Sequence, residues 1–273
     1  MIGIKSSLDG LELDNKFDAV ARTGIRLPLL ELFLREQDLP TLERRIDLLL
    51  GAQPGLKLSL HTPIRGTPSP EGNAVSFMQG DALDVYGRLL DIAATRPDIV
   101  AVIAHPGKKD RQRIVATGRE LNRRHKNASL LYAENLPGPL YADVHDFIGL
   151  VDDMGMHNVC LDFAHFSATH DAAQTLDALL QLKHRFRVYA HISDNVYNSG
   201  NTIPKHIGEG NLALDGLVPF VDLGVVETFS ADERKGVEMV ADWKKAMAYD
   251  GVLCISRQYP SSLCRVIPSA QET

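Results

Sequence analysis

The residues able to do chemistry in this chain occur in short motifs of one form: a few apolar residues, then a histidine or a carboxylate. Leu58-Ser-Leu-His61-Thr-Pro63 and Val102-Ile-Ala-His105-Pro-Gly107 each lead into a histidine, and Leu131-Tyr-Ala-Glu134-Asn135 leads into a glutamate. Cys160-Leu-Asp162-Phe-Ala-His165 brings an aspartate and, three residues on, a histidine. Tyr189-Ala-His191-Ile-Ser-Asp194-Asn195, the glycine-rich Lys205-His206-Ile-Gly-Glu209-Gly-Asn211 and Val225-Val-Glu227-Thr-Phe229 complete the series. Imidazole and carboxylate together suit zinc, manganese, iron or cobalt. Gathered at one place, these groups repel one another unless a cation sits among them. A divalent ion there can polarise a substrate oxygen or lower the pKa of a bound water.

Each residue alone also has a plain structural reading. A single histidine at a strand end is more often hydrogen-bonded structure than a ligand, Glu134 alone can be an ion-pair partner, and Asp162 alone can cap the following turn. The distribution argues otherwise. Of ten histidines, 61, 105, 165, 191 and 206 follow apolar runs or lie in the loops just after them. Those at 125, 145, 157, 170 and 184 fall in helical or linking segments and read as solvated. Glu31 lies inside an apolar run, with structural and substrate-contact roles both open. Glu209 reads as a turn residue, and Asp194 as a partner that orients a histidine.

Apolar, β-branched runs must position these groups: Ile2–Ile4, Leu29–Phe33, Leu56–Leu60, Val100–Ala104, Ser129–Ala133, Asn158–Leu161, Arg187–Ala190 and Gly224–Val226. Their near-continuous apolar character is that of buried parallel strands. Helical spacing separates them, as in 42–50, 82–94 and 233–247. Strands alternating with helices suit a closed barrel or an open doubly wound sheet. An open sheet concentrates its ligands near one switch point, whereas nearly every run here leads into a candidate ligand. The expected fold is therefore α/β, a (β/α)8 TIM barrel, with the site at the C-terminal ends of its strands.

A length of 273 residues fits one such barrel domain, with a tail from about residue 250 that matches no barrel element. The net charge of -6 argues against non-specific nucleic-acid binding. No run approaches the roughly 20 apolar residues that span a membrane, and the first residues lack a signal-peptide layout. Three scattered cysteines do not make a disulfide framework. The cytoplasm is the expected location.

In order along the chain, His61, the His105-Pro-Gly turn, Glu134-Asn, Asp162-Phe-Ala-His165, His191-Ile-Ser-Asp-Asn and the His206-Ile-Gly-Glu-Gly loop resemble the xylose-isomerase-like superfamily of metal-dependent barrels. That superfamily includes sugar-phosphate isomerases and epimerases and the endonuclease IV type of apurinic endonuclease, and the resemblance runs from about Ile2 to Phe229. In epimerase-like members one ion is held by Glu, Asp, His and Glu, matching Glu134, Asp162, His191 and Glu227. The two glutamates there serve as acid and base on opposite sides of one carbon. In endonuclease-like members three zinc ions are held by a larger set, which His61, His105, His165 and His206 match as well. Pro204 stands where that pattern has an aspartate, and the loop after His61 lacks an aromatic wedge for opening duplex DNA. The segment Leu8-Asp-Gly-Leu-Glu-Leu-Asp14 is acidic where a phosphate backbone favours lysine or arginine. Tyr197 stands where some sugar epimerases of the group place an arginine.

The resemblance thus implies a divalent-metal-dependent isomerase or epimerase, holding one to three Zn2+ or Mn2+ ions and acting on a small carbohydrate or sugar phosphate. Glu134, Glu227 and His165 are its expected catalytic residues. Glu134, Asp162, His191, Glu227, His61, His105, His165 and His206 are its expected ligands. The alternative is a zinc phosphoesterase acting on abasic DNA. Arg65, Lys108, Lys109 and Lys205 lie beside the expected mouth, where a phosphate can be held.

Overall fold

Successive strand residues face opposite sides of a sheet, and this alternation organises the whole molecule. In a computed structural model, the chain forms a nine-stranded sheet closed by pairing of its first and last barrel strands. The structure describes residues 1–9, 12–13, 26–65, 74–141, 143–196, 205–227 and 235–250. One strand, the two-residue Glu12–Leu13, is an antiparallel appendage of β1 (Ile2–Asp9). The others are parallel: β2 (Leu29–Arg35), β3 (Lys57–Ile64), β4 (Ile99–Ala104), β5 (Leu131–Glu134), β6 (Asn158–Asp162), β7 (Arg187–Ile192) and β8 (Leu223–Val226). They pair in chain order and close between β8 and β1, which is a (β/α)8 TIM barrel.

The outward-facing residues, such as Ile2 and Ile4 of β1 or Leu30, Leu32 and Leu34 of β2, are fully buried under the helices. The inward-facing set divides into two layers. Leu29, Ile103, Tyr132, Cys160, Tyr189 and Val225 fill the N-terminal half of the barrel as an apolar plug. One inward step further along the strands come Lys5, Glu31, His61, Glu134, Asp162 and His191. Register aligns them across neighbouring strands: Lys5 faces Glu31, and Asp162 faces His191. The barrel is therefore packed below and polar above.

The outer helices include α1 (Leu42–Ala52), α2 (Ala82–Ala94), α3 (Arg111–Arg124) and α4 (Val144–Met154). The short α5 (Phe163–Ser167), then α6 (Ala172–Arg185), the single-turn α7 (Leu214–Leu217) and α8 (Lys235–Asp250) follow. Capping fixes several starts: Asp143 accepts from His145 N at 2.6 Å, and Asp171 with Gln174 forms a capping box on α6.

Sequence reading and structure differ at the strand ends. Ser129 and Leu130 lie in a 3-10 turn, Ala128–Leu130, and Asn158 donates to Ser129 O and Leu131 O across it. The run ending at Leu60 continues as strand through His61 to Ile64, and the run ending at Ile4 continues to Asp9. Of the last helix, Glu233 and Arg234 lie outside the described residues, as does the tail 251–273. Among the described residues no helix is long and apolar enough to cross a membrane.

Candidate metal centre

Each strand brings its inward residue to the same layer, and local hydrogen bonds then set which atom faces the middle. His61 at β3 has Nδ1 3.1 Å from Thr62 O. A carbonyl only accepts, so Nδ1 carries the proton and Nε2 keeps its lone pair. That Nε2 lies 3.3 Å from Glu134 Oε2. His165 follows the same logic, with Nδ1 donating to Asn135 O at 3.0 Å. His191 is held from the other side, its Nε2 3.1 Å from Glu31 Oε1. Its Nδ1 is left facing Glu227 Oε2 at 3.0 Å, Glu134 Oε1 at 3.4 Å and Asp162 Oδ2 at 3.7 Å. Glu31 is thus placed to orient an imidazole for a cation on its far side.

Loop and helix contacts fix the remaining members. Gly107, at φ 112°, turns the chain after His105-Pro, and a Cβ there would meet Met78 Sδ at 2.6 Å. Tyr86 of α2 accepts from His105 N at 3.1 Å and donates to Val75 O at 2.6 Å, anchoring the turn from outside. His105 Nε2 then reaches Glu134 Oε2 at 2.9 Å. Asn135 ties β5 to β6 by accepting from Asp162 N at 2.6 Å and donating to Asp162 O at 3.3 Å. Asp162 does two jobs: Oδ1 caps α5 by accepting from His165 N at 2.9 Å, and Oδ2 faces His165 and His191.

The result is one continuous cluster. Ligand atoms of His61, His105 and Glu134 lie within 4.8 Å of one another, as do those of Glu134, Asp162 and His165, and those of Asp162, His191 and Glu227. Among the described residues, six buried atoms in it have no hydrogen-bond partner: Glu31 Oε1, His61 Nε2, His105 Nε2, Glu134 Oε2, His191 Nδ1 and Glu227 Oε2. Several sit near an opposite-sign atom, as His105 Nε2 does to Glu134 Oε2, without the alignment a hydrogen bond needs. Buried polar atoms left so are costly. Lone pairs converging on shared points are what a divalent ion satisfies, so these residues fit one.

Electrostatics agree. Burial alone would raise the Glu31 carboxyl, but His191 and Lys5 hold it down at about 2. Burial likewise opposes ionisation of Glu134, yet His105 and His191 keep it well below the usual carboxylate range. For Asp162 burial is outweighed by His165 and His191. Burial disfavours a charged His191, but Cys160 and Glu31 lift it well above the ordinary histidine range. The cluster demands positive charge, as a proton or as a metal.

His206 stands apart from these groupings. Its Nδ1 is 2.6 Å from Asp242 Oδ2, and its Nε2 is 3.4 Å from Glu238 Oε2, both on α8. Among the described residues Asp194 hydrogen-bonds no histidine. Its carboxylate accepts from Gly208 N at 2.9 Å and Leu212 N at 3.2 Å, clamping the loop that carries His206. Arg65 is committed to Asp81 and Glu36. Two histidines read as solvated are packed: His125 lies 3.2 Å from Asp91, and His170 stacks on Phe166 at 3.8 Å. Sequence reasoning missed Lys5. Its Nζ lies 2.8 Å from Glu227 Oε1 and 3.5 Å from Glu31 Oε1. Burial would lower this ammonium, but Glu227, Glu31 and Glu134 hold it above its ordinary value. Inward alternation from Gly3, carried one step past Ile4, is the signal that could have found it.

No protein-family model matches the chain, and no curated protein sequence matches it. Solved structures do. Endonuclease IV from Thermus thermophilus is similar with a TM-score of 0.64 at 19% identity, over 90% of this chain and 98% of that one. A 3-keto-D-glucoside 4-epimerase from E. coli is similar with a TM-score of 0.61 at 13% identity, over 91% and 97%. A xylose isomerase-like TIM barrel protein from Mycobacterium smegmatis, solved with magnesium, has a TM-score of 0.57 at 10% identity, over 86% and 89%. At these identities the likeness shows the fold alone: the chain has the (β/α)8 barrel that these structures share.

Proposed function

We propose that the chain is a divalent-metal-dependent isomerase or epimerase of a carbohydrate or sugar phosphate. The observation that carries this reading is the convergence of Glu227, Glu134 and Asp162 carboxylate oxygens on His191 Nδ1, at 3.0, 3.4 and 3.7 Å. A divalent ion held by these four residues supplies polarisation of adjoining carbonyl and hydroxyl oxygens, which acidifies the neighbouring C–H. Glu134 and Glu227 form the acid/base pair, one removing that proton and the other returning it. Glu227 is a quarter exposed, on the open side of the set, whereas Glu134 is buried. His165, one-fifth exposed, contacts the substrate or a second ion. An epimerase among the similar structures supports a sugar substrate for this barrel. The test is turnover of a sugar and sugar-phosphate panel in D2O. Deuterium enters the product at the carbon whose proton is exchanged, and Glu134→Gln abolishes both turnover and tight metal binding. A fully active, metal-loaded Glu134→Gln variant contradicts the reading.

One observation favours a second reading. His61 Nε2 and His105 Nε2 face Glu134 Oε2, at 3.3 and 2.9 Å, while His191 Nδ1 faces its Oε1 at 3.4 Å, so these residues would hold a second ion beside the first. A two-ion centre suits phosphoester hydrolysis, and an endonuclease is among the similar structures. Chelator-sensitive cleavage of an abasic-site duplex, without turnover of any sugar, decides for it.

A further inference from the structure

The polar layer is graded in depth. Glu31, His191, His61, Glu134 and Asp162 are between 0 and 4% exposed, whereas Lys5, His105, His165 and Glu227 are between 11 and 25% exposed. The second group is the rim that a substrate meets. Lys5 differs from the rest of it in having no lone pair to offer an ion. An ammonium has three N–H donors. Here one is hydrogen-bonded to Glu227 Oε1 at 2.8 Å, and the 3.5 Å approach to Glu31 Oε1 is an ion pair without hydrogen-bond alignment. The face of Phe33, 5.1 Å from Nζ, covers another side. Among the described residues the ammonium has no further acceptor.

We propose that Lys5 binds the substrate directly and selects one bearing an anionic oxygen, a carboxylate or a phosphate, over a neutral sugar; this rests on the metal-dependent reading above. When Glu227 and Glu134 give their charge to an ion, the Lys5 ammonium keeps Glu31, which is also shared with His191. A buried charge without adequate counter-charge is strongly unfavourable. An anionic substrate oxygen supplies that counter-charge and takes an unused N–H. A neutral hydroxyl takes the N–H but leaves the charge imbalance.

The test is calorimetric titration of the metal-loaded protein with inorganic phosphate, comparing wild type with Lys5→Met and Lys5→Gln. Metal content per chain and thermal unfolding are recorded for all three. The expected result is phosphate affinity weakened about tenfold to hundredfold in both variants, the loss of one charge-assisted hydrogen bond, with metal content unchanged. Unchanged phosphate affinity overturns the proposal, since phosphate then binds the ions alone. Metal loss in both variants also overturns it, and makes Lys5 a tether for Glu227. Metal content reads the underlying centre and phosphate affinity reads Lys5, so failure of the one is distinguishable from failure of the other.

Discussion

At the scale of single residues, the site depends on which ring nitrogen of each histidine is occupied. His61 spends Nδ1 on Thr62 O, which leaves Nε2 facing Glu134. His191 spends Nε2 on Glu31, which leaves Nδ1 facing Glu227, Glu134 and Asp162, where its raised pKa keeps a proton that a cation would displace. His165 turns Nδ1 to Asn135 O. A carboxylate behind a ligating imidazole fixes its tautomer and strengthens it as a donor. Replacing Glu31 with Gln keeps the volume but removes the charge and permits the opposite tautomer. Metal affinity should fall about 10- to 100-fold, measured by competition with a chelating dye; unchanged affinity would show that Glu31 does not orient His191. Glu31 also carries an acid-stability prediction. Its folded pKa of about 2 lies below the ordinary 4.5, so the unfolded chain takes up this proton first as pH falls. The stabilisation is complete above about pH 4.5 and is lost on going down through about pH 2. Glu134 and Asp162 shift in the same direction. In chelator-treated protein, Tm should fall steadily between about pH 4.5 and 2, and a flat profile there contradicts the assignment.

At the scale of elements, strands carry the site and loops hold its edge. The loop with His206 packs onto the Asp194-Asn195 turn so closely that a Cβ on Gly210 would lie 2.2 Å from Asp194 Oδ1 and 2.3 Å from Asn195 O. Gly210→Ala must push this loop away. A cost of about 1–3 kcal/mol is expected, lowering Tm by roughly 2–12 °C for a chain of this size. An unshifted Tm contradicts the packing. The strands themselves were legible because their outward residues are mostly apolar and their inward residues turn polar together at the same depth. What was not legible followed from the same design. Polar residues such as Lys5 and Ser6 read as the end of a strand when they are its continuation. The pairing of His206 with Asp242 depends on how α8 packs across 36 residues of chain, which no local spacing encodes. Asp162 appeared in sequence as either a cap or a ligand, and its two oxygens divide those roles.

At the scale of the whole molecule, an apolar plug closes one half of the barrel and a cluster of lone pairs fills the other. The plug and the outer shell stabilise the fold without any cofactor, whereas the cluster keeps buried polar atoms unpaired that a cation would satisfy. Metal binding should therefore raise stability through linkage, by about 2.7 kcal/mol at a free concentration 100 times Kd. Removing metal with a chelator should lower Tm by roughly 5–10 °C, and re-addition of zinc or manganese should restore it. The cluster, more than the choice of substrate, is what this account stands on. Its most direct test is metal content per chain, by elemental analysis, on protein purified without added metal or chelator, alongside Glu134→Gln. The account predicts at least one tightly held divalent ion in the wild type, lost in the variant, because Glu134 reaches His61, His105 and His191 alike. A metal-free wild type whose Tm does not respond to zinc, manganese or magnesium would contradict it.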